Sequence, residues 1–476
     1  MNIKHIIYST ALLVYGALML TSCDKLLDEK SQDLYIPKTV GDYREFIAGE
    51  ALNQGKSNGV MLGEYLDMMT DDIGEKVNVR RKDTQDTREQ TWGYYTWQED
   101  PEIDFNNTIR DDNMWSVCYH RILITNIVLD RLNEMSGTQN EKDDLEAEAR
   151  FIRAWSYYML ANTYAKPYES AEQASKTAGV PINTAISVEN KKLQRATLQE
   201  VYVLMKSDLT EAVKLFKSSG MSKTIFRPNL SAVQLLLSRV LLYGKEFQEV
   251  VNVTSDLIGK NGIELHDLST LTDRTKRFYD GSNKEIFFSY GSQAAYKLAN
   301  YISATNGTRG TFKVNMELLN MYDKKDKRRM SFFSSPTSKD VKPFKYYNLG
   351  SKNINPGNFH LSEVYLNRAE AYAELGQGAK AMDDVNAVRA KRIEGYTAET
   401  ITEKDKVVEA VRTERRKELC FEGLRWFDLR RWGCPELKHT YSSSTVSGQK
   451  TEYVLKQGDA RYTLPVPRAE RELNNI

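Results

Sequence analysis

Along most of the chain, apolar residues recur every three to four positions, the spacing of helices that bury one face. Trp115, Cys118, Ile122, Thr125, Asn126 and Leu129 mark a helix over Met114–Leu132. Asp144–Tyr164 is apolar on more than one face, through Leu145, Ala149, Ile152, Trp155, Tyr158, Met159 and Leu160. Such a helix belongs at the centre of a core, and Pro167 ends it. Val40–Leu52 and Thr197–Phe216 read as further helices. Leu361–Lys391 has the spacing of one tetratricopeptide unit, with Ala369, Tyr372, Gly376 and Ala381 at its small, aromatic, turn and small positions. Leu235–Lys260 is a weaker copy, with Ser238 at the small position, Gly244 at the turn and a second helix over Phe247–Ile258. A repeat cannot bury its face alone, so about four such pairs should stack on one another. The pattern predicts an all-α protein: tetratricopeptide-like helix pairs forming a curved, right-handed scaffold.

Three stretches break the helical pattern. Gly55–Asp112 is polar and irregular. Residues 260–358 form an insert rich in Gly, Ser, Asn, Tyr and Phe, in which Ile286–Tyr290 reads as one buried strand. Pro435–Lys450 is rich in Ser and Thr and reads as a surface loop. The division that follows is a leader over 1–22, an N-terminal half over 23–230, and a C-terminal half over 231–476 that carries the insert, the two halves forming one compact unit.

The densest chemistry lies in Val411–Gly433, with three Glu, one Asp, six Arg, two Trp and two Phe. Glu414, Glu418 and Glu422 fall four apart, on one face of a helix. Arg412, Arg415, Arg416 and Lys417 supply opposite charge within a turn, and Gly423 is placed to end the helix. A second amphipathic segment runs from Leu424 to Trp432. A catalytic role for Glu418 or Glu422 would need a raised pKa, and neighbouring arginines lower it. The reading is therefore a structural clasp of Glu418, Glu422, Arg425, Asp428 and Arg431, built on Arg–carboxylate pairs.

Charge narrows the function. Of 476 residues, 41% are hydrophobic and 28% charged, with a net charge of +1. Without residues 1–22 the basic and acidic counts are equal at 65 each. Nothing here favours nucleic acid. Cys118, Cys420 and Cys434 have no CxxC spacing and the five His are scattered, so no metal site is expected. No nucleotide loop or nucleophile elbow appears, and no cofactor is expected. Adjacent acids such as Asp71-Asp72 and Glu99-Asp100 point to different sides and suit hydrolysis poorly. The N-terminus has a short polar head at Lys4 and His5, an apolar run from Ile6 to Leu20, and Leu20-Thr21-Ser22-Cys23. This resembles a signal peptide ending in a bacterial lipobox, which would place acyl chains such as palmitate on Cys23.

Aromatic residues are the mild excess, with 27 Tyr. Trp92, Tyr94, Tyr95 and Trp97 crowd into six residues beside Gly93, which could form a turn that presents the rings outward. Flat rings with polar tips suit sugar faces. Trp92, Tyr94, Tyr95 and Trp97 are thus candidate ligand platforms. Core packing is the competing reading, above all for Trp97, which alternates with Tyr95 as in a strand. Tyr296, Tyr301 and Arg309 in the insert are further candidates.

Glu414, Arg415, Glu418, Leu419, Phe421, Glu422, Gly423, Arg425, Asp428, Leu429, Arg431, Trp432 and Gly433 together resemble the C-terminal signature of the SusD/RagB family, surface lipoproteins of Bacteroidetes that capture nutrients. Glu148–Ala165, the charged leader after Cys23, and the final Leu464–Arg468 and Glu472–Ile476 are similar to family members too. The resemblance implies a glycan-binding protein rather than an enzyme, held on the cell surface by a lipid anchor in the outer membrane. It also implies a partner, a SusC-like TonB-dependent transporter to which oligosaccharide or polysaccharide is delivered. Three alternatives stay open: capture of peptide or another nutrient, a protein-only scaffold, and a surface glycosidase.

Overall fold

The computed structural model describes residues 37–52, 64–75, 88–110, 113–188, 192–260, 262–273, 278–291, 312–334, 341, 343, 345, 353–442 and 450–474. Helix α1 (Val40–Phe46) opens on a capping box: Thr39 Oγ1 accepts the Asp42 N–H at 3.1 Å, and Asp42 Oδ2 accepts the Thr39 N–H at 2.8 Å. It continues as a π-helical turn over Ile47–Leu52. Helix α2 spans Asn113–Arg131 and α3 spans Gln139–Tyr164. Helix α3 begins at Gln139 rather than Asp144 because Thr138 and Glu141 form a second capping box, which stabilises a polar first turn that apolar spacing does not reveal. Thr197 and Glu200 do the same for α4 (Leu198–Ser219), and Gly220, at φ 61°, ends it.

Further helices extend the scaffold: α5 (Leu230–Tyr243), α6 (Phe247–Leu257), α7 (Leu361–Glu374), α8 (Gly378–Ala390), α9 (Lys404–Leu419) and the short α10 (Arg425–Arg431). From α2 to α8, each packs on the next. The insert separates α6 from α7 in sequence but not in space, since these two helices are packed neighbours. Two features let α5 and α7 meet. Ser238 is small enough for Asn367 Nδ2 to reach its hydroxyl at 2.8 Å, and Arg239 makes a two-pronged pair with Glu363 at 2.6 Å. Gly376 takes φ 73° at the α7–α8 turn. Helix α3 is the centre of the main core, with Phe151, Ile152, Trp155 and Tyr158 all buried.

Among the described residues, three antiparallel two-stranded ribbons accompany the helices. Strand β1 (Ile73–Glu75) pairs with β3 (Phe312–Val314), β2 (Ile286–Tyr290) with β4 (Gly357–His360), and β5 (Leu437–Ser442) with β6 (Lys450–Leu455). The expected strand at Ile286–Tyr290 is present. The expected surface loop at Pro435–Lys450 is corrected over its first part, because β5 alternates Leu437, His439 and Tyr441 inward against Lys438 and Thr440 outward, while residues 443–449 lie outside the described residues. Period-two burial over 437–441 outweighs a Ser/Thr-rich composition. A second core lies among the insert, residues 64–97 and β5, and includes Ile73, Tyr95, Phe312, Tyr322, Phe333, Phe421 and Tyr441.

Candidate functional site

Most charges of residues 411–433 pair across the fold, and the Arg431–Asp428 pair lies along its own helix. Glu418, fully buried, lies between Arg328 at 2.8 Å and Arg392 at 2.7 Å. Arg328 also holds Asp326 at 2.7 Å, and Arg392 holds Glu285 at 2.9 Å. Helix α9 stops at Leu419, and Phe421 and Gly423 take φ 62° and 73°. Glu422 therefore leaves the helical face of Glu414 and Glu418 and meets Lys345 at 2.7 Å and His360 at 2.9 Å. Arg425 reaches back to Asp71 at 2.8 Å. Asp428 accepts from Arg415 and Arg431, each at 2.8 Å, and Arg431 continues to Glu370.

Burial alone would raise the Glu422 carboxyl, but Lys345 and His360 hold it down to about 2. Burial would lower His360, but Glu422 and Glu285 lift it to about 10. Burial would likewise raise Glu418, and Arg392 and Arg328 hold it far below the usual range. These carboxylates carry no proton to donate near neutral pH, which is the opposite of what a general acid requires.

The aromatic segment does not face outward. Trp92–Tyr95 is one helical turn, with Tyr94 7%, Tyr95 1% and Trp97 1% exposed. A Cβ on Gly93 would come within 2.3 Å of the Pro101 carbonyl oxygen and 2.6 Å of that of Ile103. The glycine is thus required by backbone crowding, not by an outward turn. The His439 ring stacks between Tyr95 and Trp97, 4.2 Å from each ring centre. Its two nitrogens lie 2.7 and 3.0 Å from the carbonyl oxygens of Tyr95 and Thr70. Burial nevertheless pushes its pKa down to about 4. Trp97 Nε1 donates to the Met69 carbonyl at 2.9 Å. Trp92 is half-buried, edge-on to Phe105 and Tyr453 at 5.7 and 6.4 Å. The expected platform of Trp92, Tyr94, Tyr95 and Trp97 is therefore corrected: Tyr94 stacks on Tyr65 at 4.4 Å, Tyr95 and Trp97 pack on His439 of β5, and the half-buried Trp92 sets its ring against Tyr453 of β6. Cys23, Tyr296, Tyr301 and Arg309 lie outside the described residues. Among the described residues no group of three His, Cys, Asp or Glu could hold a metal ion, and no helix is long and apolar enough to cross a membrane.

A cleft of about 1520 Å³ opens where α3 ends. Pro167 and the extended Ala165 stop α3, leaving last-turn carbonyls without helical partners. Arg195 Nη2 donates to the Tyr164 carbonyl at 2.8 Å, and Arg430, from α10, donates to the Ala165 carbonyl. Arg461, on the opposite wall, is held by Asp459 at 2.6 Å and donates to the Trp97 carbonyl at 3.0 Å. Tyr168 offers a half-buried ring, set against Tyr202 at 4.6 Å and oriented by a 2.8 Å bond from its hydroxyl to Gln199. Burial lowers the pKa of Arg195 and pushes that of Arg430 down to about 10. Sequence reasoning missed Arg195, Arg430 and Tyr168. The available signal was Pro167, because a helix stopped by proline leaves carbonyls that cations can bond.

Family models match most of the chain. One, described as starch-binding associating with outer membrane, covers residues 26–242; a second, described as SusD family, covers residues 276–475. A relative described as SusD-like protein P2, from Formosa agariphila, is 25% identical over 389 residues, 68% of this chain and 73% of the relative. A SusD superfamily protein from Bacteroides thetaiotaomicron superposes with a TM-score of 0.70 at 23% identity, covering 92% of this chain and 98% of that one. A SusD-like carbohydrate binding protein from Bacteroides vulgatus gives a TM-score of 0.67 at 19% identity, covering 92% and 97%. At these identities the structural likenesses establish the fold. With models of one family matching both of its halves, the chain belongs to the SusD family.

Proposed function

We propose that this protein is a non-catalytic glycan receptor of the outer membrane. It is anchored at the cell surface by lipid on Cys23 and hands oligosaccharide to a SusC-like TonB-dependent transporter. The observation that carries this reading is the pair of family matches, one of them described as starch-binding and outer-membrane associated. The open cleft beside Tyr168 supports it: its wall combines a partly exposed ring with fixed arginine and carbonyl groups, the mixture that holds a sugar by stacking and hydroxyl bonds. The ionised state of Glu418 and Glu422 supports binding without hydrolysis.

Titration of the chain with an oligosaccharide panel tests the binding claim, and release of reducing ends in the same samples tests the absence of catalysis. Binding without bond cleavage is expected; cleavage, or binding to peptides alone, would contradict the reading. Cys23→Ser should abolish acyl labelling and free the protein from the membrane fraction. Isolation from native membranes should bring a barrel transporter with the wild-type chain.

A further inference from the structure

The cleft at the end of α3 is short of negative charge. Arg430 is buried, yet among the described residues it donates only to the Ala165 carbonyl and, at 3.3 Å, to the Thr463 hydroxyl, and its Nε finds no partner there. Among the described residues every other buried arginine except Arg121 holds a carboxylate, as Arg239 holds Glu363 and Arg415 holds Asp428. Arg121 lies over the Trp155 ring, 5.2 Å from its centre, and does not line this cleft. Arg195, half-buried, also donates only to carbonyl oxygens, those of Tyr164, Gly179 and Ala178. A buried cation without a counter-charge is costly. The C-terminal end of α3 supplies only about half an elementary charge against two guanidinium groups.

The rim deepens the imbalance. Lys166 and Lys245 are exposed on the cleft wall and make no ion pair among the described residues. The Asp459 carboxylate is already taken by Arg461. Glu99 and Glu169 also line the cleft, both exposed, yet among the described residues neither forms an ion pair with Arg195, Arg430, Lys166 or Lys245, so the lining keeps an excess of positive charge that the oxyanion of a ligand would balance.

We propose that this cleft binds an acidic sugar, with a carboxylate or sulfate against Arg430 and Arg195 and the pyranose ring against Tyr168. Lys166 and Lys245 draw the anion in from the rim. The sugar part rests on the glycan-receptor reading above; the anion part rests on the unpaired arginines alone.

The test is calorimetric titration of the full chain in detergent with three probes: oligogalacturonate, a carrageenan oligosaccharide and maltoheptaose. They present carboxylate, sulfate and no charge, so the first two also show which oxyanion the cleft takes. At least one acidic probe should bind about tenfold more tightly than maltoheptaose, and added salt should erode the difference. Arg430→Gln should remove the preference. Because Arg430 also bonds the end of α3, the paired rim variant Lys166→Ser/Lys245→Asn, which touches no helix-end carbonyl, should reduce it without changing the melting temperature. Equal affinity for charged and neutral probes, or an acidic preference that survives both variants, overturns the proposal while leaving glycan capture standing. Failure of every saccharide to bind overturns the receptor reading and this proposal together.

Discussion

The charged stretch 411–433 and the aromatic stretch 92–97 are both largely buried, held by forces of different reach. In the first, the carboxylates and most of the cations find charged partners, several of them on distant elements: Glu418 with Arg328 and Arg392, Glu422 with Lys345 and His360, and Arg425 with Asp71. In the second, Tyr95, His439 and Trp97 form a stack whose polar atoms are met by nearby backbone carbonyls and which needs no opposite charge. A buried charge demands a partner, so a dense mixture of both signs points inward. A ring makes no such demand, and the same Trp and Tyr serve a core or a sugar platform equally well. Arg430 is informative for the same reason: among the described residues, it and Arg121 are the buried arginines that hold no carboxylate, and Arg430 is the one of the two that lines a cleft.

The largest expected effect is on the charged side. Glu418→Ala leaves Arg328 and Arg392 short of a counter-charge and should cost about 3–5 kcal/mol in chemical unfolding. A variant as stable as wild type would mean that the network is not holding α9 to the insert. Next is Gly93→Ala, whose methyl meets two backbone carbonyls and should cost about 1–3 kcal/mol. An outward turn at Gly93 would tolerate alanine, so an unperturbed melt would restore the platform reading.

A smaller effect is read from pH. His360 titrates near 6.5 when unfolded and at about 10 when folded. Its contribution is complete below pH 6.5 and is lost as pH rises through about 10. Glu422, held at about 2 against an ordinary 4.5, contributes fully above pH 4.5 and loses that contribution as pH falls toward 2. The wild-type melting temperature should therefore decline from pH 6.5 to 10, and His360→Gln should flatten that decline while starting lower. A decline of equal slope in the variant would place the alkaline-sensitive group elsewhere. Smallest is Trp92→Phe. The indole N–H is buried without a partner, so losing it offsets part of the lost ring area, and stability should stay within about 1 kcal/mol.

The helical stack was legible because its cues are local. Apolar spacing marks α2 and α3, and Gly376 with Ala369 and Ala381 marks the α7–α8 pair. The capping box at Thr138 and Glu141 was also readable and would have placed the start of α3 correctly. The burial of Glu418 and Glu422 could be inferred, but not their partners, since Arg328 and Lys345 come from the insert and His360 from just beyond it, all far away in sequence. Gly93 misled because crowding by Pro101 and Ile103 has no signature in sequence. Strand β5 was hidden because Ser and Thr in its neighbourhood masked the alternation of Leu437, His439 and Tyr441. The cleft was illegible for a related reason: it is assembled from α3, the segment before α4, α10 and residues 458–466, none of which marks it alone.

The account turns on where sugar binds, and a crystal structure of the full chain with a bound acidic oligosaccharide tests that most directly. It should show the ring against Tyr168 and an oxyanion within hydrogen-bond distance of Arg430 and Arg195, with Tyr95, His439 and Trp97 stacked as they are here. A sugar seated on Trp92 and Tyr94, with the cleft at the end of α3 empty, would contradict it.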